Sequence, residues 1–362
     1  MINKTSLSSK WIKEVSAKNR KADPQLVEKV IRALLLLEGL VENEVDFVFK
    51  GGTCLMLKLG STKRLSIDID IIIADQDVAL EEKLKNLVEN KGLTRVELHK
   101  RSANSKIQKA HYKFFYTPIH NSGRTEDNIL LDILYEEVLY EKREKIDIDS
   151  SFLLQEGLPL KVVVPSYEDL LGDKLTAFAP ETTGIPYEKG GKSKAMEIIK
   201  QLYDIGNIFD EIGNLERVAS TFEQFARSEL AYRNKGTDIQ IVLDDIFQVA
   251  LTVSTRGKDG TANFKALLEG ISQVKAFIFS ESYHIEKAIV HCAKAAYLAK
   301  LIEYKKRSFV RFKTPMEVKD WVIEQPFFTR LNKLKKSNPE AFFYWFKVFE
   351  LEKENNNYGG KK

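Results

Sequence analysis

"KGGTCLMLKLGSTKRLSIDIDIII", residues 50–73, places two glycines and a threonine ahead of a run in which two aspartates alternate with isoleucines. In a strand alternate residues share a face, so Ser66, Asp68, Asp70 and Ile72 point one way and Ile67, Ile69, Ile71 and Ile73 the other. The isoleucine row calls for a core. The carboxylates on the other side repel each other and are costly to desolvate unless something positive lies between them. A divalent cation is the natural neutraliser. Oxygen-only ligands favour Mg²⁺ or Mn²⁺, which take one or two carboxylates together with substrate phosphates and water. A strand edge whose aspartates merely face water is the plainer alternative.

Just upstream, "FVFKGGT" reads as a strand running into Gly51, Gly52 and Thr53, with helical "CLMLKLG" behind them. Glycines admit close approach of backbone amides, and a helix N-terminus adds partial positive charge, a combination suited to phosphates. A bare turn is the alternative. Asp132, in the apolar run "NILLDILY", poses the same question as Asp68 and Asp70. If its strand lies beside theirs, three carboxylates converge, giving metal positions and a group able to accept the proton of an attacking hydroxyl. Otherwise it is a single satisfied buried aspartate.

In "SYEDLLGDKLTAF", Ser166 and Asp169 form a capping-box pattern that starts a helix. Lys174 then falls on the stripe of Leu170, Leu171 and Phe178, where it must snorkel or find an anion such as a triphosphate. Asp204, in "KQLYDIGNIF", lies beside Lys200 and Gln201 off the main apolar stripe, and its spacing is compatible with the surface.

Over the whole chain, a segment opening at Asp23 and Pro24 reads as helix. Short β-type runs follow from 45: "VDFVFK", "SIDIDIII", "TRVELHK", "KAHYKFFYTP", "NILLDILYEE" and "LKVVVP". Helical stretches interrupt them near 53–60 and 76–91. After Pro165 amphipathic helices take over, so the fold class is α/β (α+β) with two lobes. At 362 residues the chain is long enough for two cores, and 43% apolar and 30% charged residues fit a folded globular protein. A formal charge of +4 does not by itself mark a nucleic-acid binder. Cys54 and Cys292 are too few for a disulfide framework or a zinc cluster, which fits a cytoplasmic protein. No apolar run is long enough to span a bilayer, so no membrane partner is expected.

Two other patterns are set aside. "GGKS", 190–193, ends like a P-loop, but Pro186 stands where the first glycine is required. The five histidines are scattered without metal-ligand spacing, which disfavours a zinc site or a His-based triad.

The Gly-Gly-Thr turn, the Asp-Ile-Asp run and the later apolar strand with one aspartate resemble the nucleotidyltransferase fold shared with DNA polymerase β. More closely, "KGGTCLMLKLG", "KRLSIDIDIII", "GDKLTAFAP" and "IIKQLYDIGNIF" resemble, in order, the four motifs of the AbiEii/AbiGii nucleotidyltransferase-like toxins, to which MenT-type toxins are related. The likeness covers about residues 45–210. It implies a mixed sheet with flanking helices at 45–180; the hydrophobic pattern adds a helical segment at 1–44 packed on that core and a helical domain at 181–362. The likeness further implies nucleotide phosphates at Gly51, Gly52 and Thr53, metal at Asp68 and Asp70 with Asp132 as a third acid, and nucleotide contact by Lys174. Arg64 and Ser66, inside the second motif, are assigned to the nucleotide as well, and Asp204 is the fourth-motif aspartate. Gln201 and Leu202 depart from an Arg-Asp pair frequent there.

The implied activity is transfer of NMP from an NTP to an acceptor hydroxyl. RNA is the implied acceptor, in particular the tRNA 3′ end, and a cognate antitoxin the implied partner. A transferase acting on a protein or an antibiotic, and a non-catalytic nucleotide- or RNA-binding module, are the alternatives.

Overall fold

The isoleucines of the opening stretch reach a core because the strand that carries them is central in a sheet. A computed structural model describes residues 1–60, 63–75, 77–99, 108–120, 123 and 125–359. The chain divides into two compact units: Met1–Ser166 with Ala276–Ser282, and Tyr167–Lys275 with Tyr283–Lys362.

In the first unit, α1 (Ser9–Lys18) and α2 (Pro24–Glu42) precede β1 (Val48–Lys50), α3 (Gly51–Lys58), β2 (Ile69–Ile73), α4 (Leu80–Asn90), β3 (Arg95–Leu98), β4 (Gln108–Tyr116) and β5 (Asp127–Tyr135). The five strands form one sheet in the order β1-β2-β5-β4-β3. Only the β2–β5 pair is parallel. β6 (Arg143–Asp147) and β7 (Lys161–Pro165) make a separate antiparallel ribbon. Gln76 and Lys100, in segments expected to be helix and strand, lie outside the described residues.

Phe49, Ile69, Ile71, Leu131, Ile133, Tyr112, Phe114 and Tyr116 share the face of the sheet that is buried. α2 covers that face: Arg32 lies over the Tyr116 ring at 4.1 Å, and Lys29 pairs with Asp127 at 2.8 Å. Asp23 caps α2 by accepting from the Gln25 amide, with Pro24 in the first turn, as the sequence indicates.

The second aspartate run is shorter than its alternation suggests. β2 begins at Ile69, so Asp68 belongs to the lead-in rather than to the strand. The cause lies in β1, which ends at Lys50 opposite Asp70 and turns at once into α3, leaving nothing of β1 to pair with 66–68. That lead-in is held instead by Ala276–Ser282: Arg64 bridges Ile278, and the Leu65 amide donates to the Phe277 carbonyl at 2.7 Å.

The second unit opens with α5 (Tyr167–Ala177), then a two-residue-strand hairpin, β8 (Glu188–Lys189) and β9 (Lys192–Ser193), turning on "GG" of the rejected P-loop-like run. Gly190 and Gly191 have φ of +60° and +71°, the left-handed values such a turn requires. Helices α6 (Ala195–Ile208), α7 (Leu215–Tyr232), α8 (Gln240–Ser254), α9 (Phe264–Gln273), α10 (Ile285–Glu303), α11 (Leu334–Ser337) and α12 (Pro339–Gly359) follow. Asn214 and Asn263 cap α7 and α9. Cys54 and Cys292 are free and buried. No helix among the described residues is long and apolar enough to cross a membrane.

Candidate active site

Strand register gathers the charged residues of the first unit. Asp70 on β2 is opposite Lys50 on β1 and opposite Asp132 on β5, and Asp132 is opposite His111 on β4. Directly opposed residues share a sheet face, so Lys50, Asp70, Asp132 and His111 form one row across four strands, on the face away from α2. His111 Nδ1 is hydrogen-bonded to Asp132 Oδ1. On the opposite, buried face the neighbouring Tyr112 has its phenol pushed up to about 12 by desolvation. The polar row is local, because Val48 and Ile72 on the same face are buried.

The glycine turn is built against this row. Gly51 has φ +80°, and a Cβ there would collide with the Asp70 carboxylate. A Cβ on Gly52 would lie 2.6 Å from both Arg64 Nη2 and Ser66 Oγ. The glycines therefore admit protein side chains close to the helix start, and they bring Asp70, Arg64 and Ser66 to the N-terminal turn of α3. There the positive end of the helix dipole and the guanidinium both favour an anion. Arg64 is itself buried, its Nη1 donating to the Leu65 carbonyl at 3.1 Å.

Thr53 is placed differently from expectation. It is fully buried, and its hydroxyl donates to the Asp68 carbonyl at 2.6 Å. The proton that would serve a phosphate is used to tie the turn to the aspartate segment. Among the described residues no group of three His, Cys, Asp or Glu side chains is arranged to hold a metal ion. Asp70 and Asp132 do lie side by side, and His111 holds one oxygen of Asp132. Such a donor set is oxygen-rich and incomplete, which fits a cation that shares its coordination with phosphates and water.

In the second unit Lys174 on α5 has an internal anion. Its Nζ lies 2.9 Å from Asp204 Oδ2 and donates to Gln201 Oε1 at 2.9 Å, both from α6. The side chains are 8% and 2% exposed, so the surface position open to Asp204 on spacing is wrong. α6 is buried on nearly every side, and its polar stripe of Gln201 and Asp204 faces α5 instead of water. Gln201, at a departure from the fourth motif, is thereby a partner of the third-motif lysine. Asp169, expected in a capping box, accepts a 2.7 Å bond from the Thr221 hydroxyl of α7.

His111 and Lys50 are the site residues that sequence reading passed over. Their signal was parity: "KAHYKFFYTP" alternates as a strand, and His111 stands on its polar rows.

A glycine turn at a helix start against an aspartate on the adjacent strand, in a mixed sheet, is the architecture of a nucleotidyltransferase, and this chain is one. The model of the nucleotidyl transferase AbiEii toxin, a type IV toxin–antitoxin system protein, matches residues 35–276, and the chain belongs to that family. The match extends past the motifs to the end of α9. Among solved structures, JHP933 from Helicobacter pylori is similar at 18% identity, over 77% of this chain and 90% of that one, with TM-score 0.39. An antigenic nucleotidyltransferase-like protein from Paracoccidioides brasiliensis is similar at 14%, over 61% and 97%, with TM-score 0.34. No curated protein matches.

Proposed function

We propose that this nucleotidyltransferase toxin transfers NMP from an NTP to an acceptor hydroxyl of RNA, with the tRNA 3′ end as the acceptor and a cognate antitoxin as its antagonist. The observation that carries the chemistry is the Asp70–Asp132 register beside the Gly51–Gly52 turn. The acceptor oxygen bonds to the α-phosphorus, the bond to the bridging oxygen breaks, pyrophosphate leaves, and the hydroxyl proton passes to Asp132. Gly51, Gly52, Arg64 and Ser66 seat the phosphates, and Thr53 sets the spacing between turn and aspartates. Asp68 and Asp70 would hold Mg²⁺ or Mn²⁺, which would supply charge neutralisation on the triphosphate, and Asp132 stays the proton acceptor.

The test is incubation with α-labelled NTPs, Mg²⁺ and total RNA, comparing the wild type with Asp70→Ala. Label should enter the tRNA fraction and fall at least about 100-fold in the variant, in the range of losing one charge-stabilising group. Label transfer that survives the substitution would overturn the assignment, and label on protein in place of RNA would move the acceptor.

A further inference from the structure

We propose that His111 is a positioning residue for this reaction: it holds the Asp132 carboxylate in the orientation that receives the acceptor proton. The inference rests on the reading of the site given above. Asp132 stands between a like charge on one side, Asp70, and His111 on the other. Carboxylates on adjacent strands repel, and an unrestrained Asp132 would rotate away from Asp70. A hydrogen bond from the far side fixes the group and commits Oδ1, leaving Oδ2 for the incoming hydroxyl.

The restraint is well made for that purpose. The contact joins His111 Nδ1 to Asp132 Oδ1, and a histidine with its proton on Nδ1 donates to a carboxylate in that arrangement. The imidazole turns on two bonds, against four in lysine, and His111 is 8% exposed. Its backbone is held as well. β4 pairs with β5 along nine residues, and on the other side the His99 amide donates to the His111 carbonyl at 2.7 Å. A polar side chain on the site face, bonded to the proposed proton acceptor, is what the position selects.

Three variants separate positioning from packing: His111→Ala removes donor and volume, His111→Phe keeps volume without the donor, and His111→Asn returns an N–H near the place of Nδ1. Label transfer, equilibrium binding of a non-hydrolysable NTP analogue, and thermal unfolding are measured on each. The expected result is a fall in kcat of about 10–100-fold for Ala and Phe, the usual cost of losing an orienting partner, with recovery to within about threefold in Asn. Analogue affinity should stay within about twofold in all three. The Asp132→Ala/His111→Ala double variant should be no slower than Asp132→Ala alone, because His111 acts through Asp132.

An Ala variant within twofold of wild type, a Phe variant that is active, or an Asn variant as slow as Ala would overturn the inference. If Ala does not fold, the Phe and Asn pair decides it by the same criteria. A wild type that binds the analogue and transfers no label overturns the function itself, which none of the His111 outcomes does.

Discussion

Lys174 shows most sharply how a single residue can be read correctly for its neighbourhood and incompletely for its partner. An amphipathic stripe places a lysine on a buried face and therefore demands an anion, but the stripe says nothing about which element brings it. Asp204 and Gln201 come from α6. This makes Lys174 both structural and a candidate for nucleotide contact, and the two roles can be separated. Lys174→Met strands a buried carboxylate and should cost about 3–5 kcal/mol, whereas Lys174→Met with Asp204→Leu removes both charges and should return most of it. Urea unfolding reads that recovery, and label transfer should be lost in both variants. A stable double variant that still transfers label would leave Lys174 only a structural role. Gly51 was legible for the opposite reason: adjacent glycines before a helix announce a close approach. What approaches, the Asp70 carboxylate at Gly51 and the Arg64 guanidinium at Gly52, depends on backbone pairing that spacing cannot supply. His111 was passed over because metal-ligand spacing was sought along the chain, while its partner lies across a strand pair.

At the scale of elements, alternation located β1 to β5 and β7 because each carries apolar residues on at least one face. β6 escaped because "REKID" offers a single strong β former and exposes Arg143, Lys145 and Asp147. The start of β2 was misread because length on one strand depends on length in its neighbour. Helix contacts were the least legible, and Gly172 is the case in point. A Cβ there would sit 2.8 Å from the Phe222 amide nitrogen and 2.9 Å from the Val218 carbonyl, both backbone atoms of α7. Backbone cannot rotate away, so α5 and α7 must part. Gly172→Ala should destabilise the second unit by about 1–3 kcal/mol, read as a lower urea midpoint, despite alanine's better helix propensity. An unchanged midpoint would mean that the two helices are looser than these distances.

For the whole molecule, one buried carboxylate sets a pH dependence. Asp245 on α8 accepts from the Glu181 and Thr182 amides and the Thr182 hydroxyl. Burial outweighs these bonds and pushes its carboxyl up from 3.8 to about 6. Between those values the folded state holds the proton that the unfolded state has released, so this group's contribution is full below about pH 4. It is lost as pH rises to about 6, amounting to about 3 kcal/mol. Asp245→Asn cannot ionise, and its stability relative to the wild type should therefore climb across that window when urea midpoints are compared at pH 4, 5, 6 and 7. A constant difference would show that Asp245 stays ionised in the fold.

The last consequence belongs to the short return of the chain at Ala276–Ser282. Beyond Ile278 and Phe277, this segment sets Phe279 against Phe152 and bonds Ser280 to the Lys63 carbonyl. It therefore braces the lead-in that carries Arg64 and Ser66. A ribosome that has reached residue 275 has already made all four motifs, yet the nascent chain still lacks that brace. Order of synthesis thus acts as a clock: the proposed phosphate seat gains this brace only when residue 282 has left the exit tunnel, long after its motifs have been written into the chain.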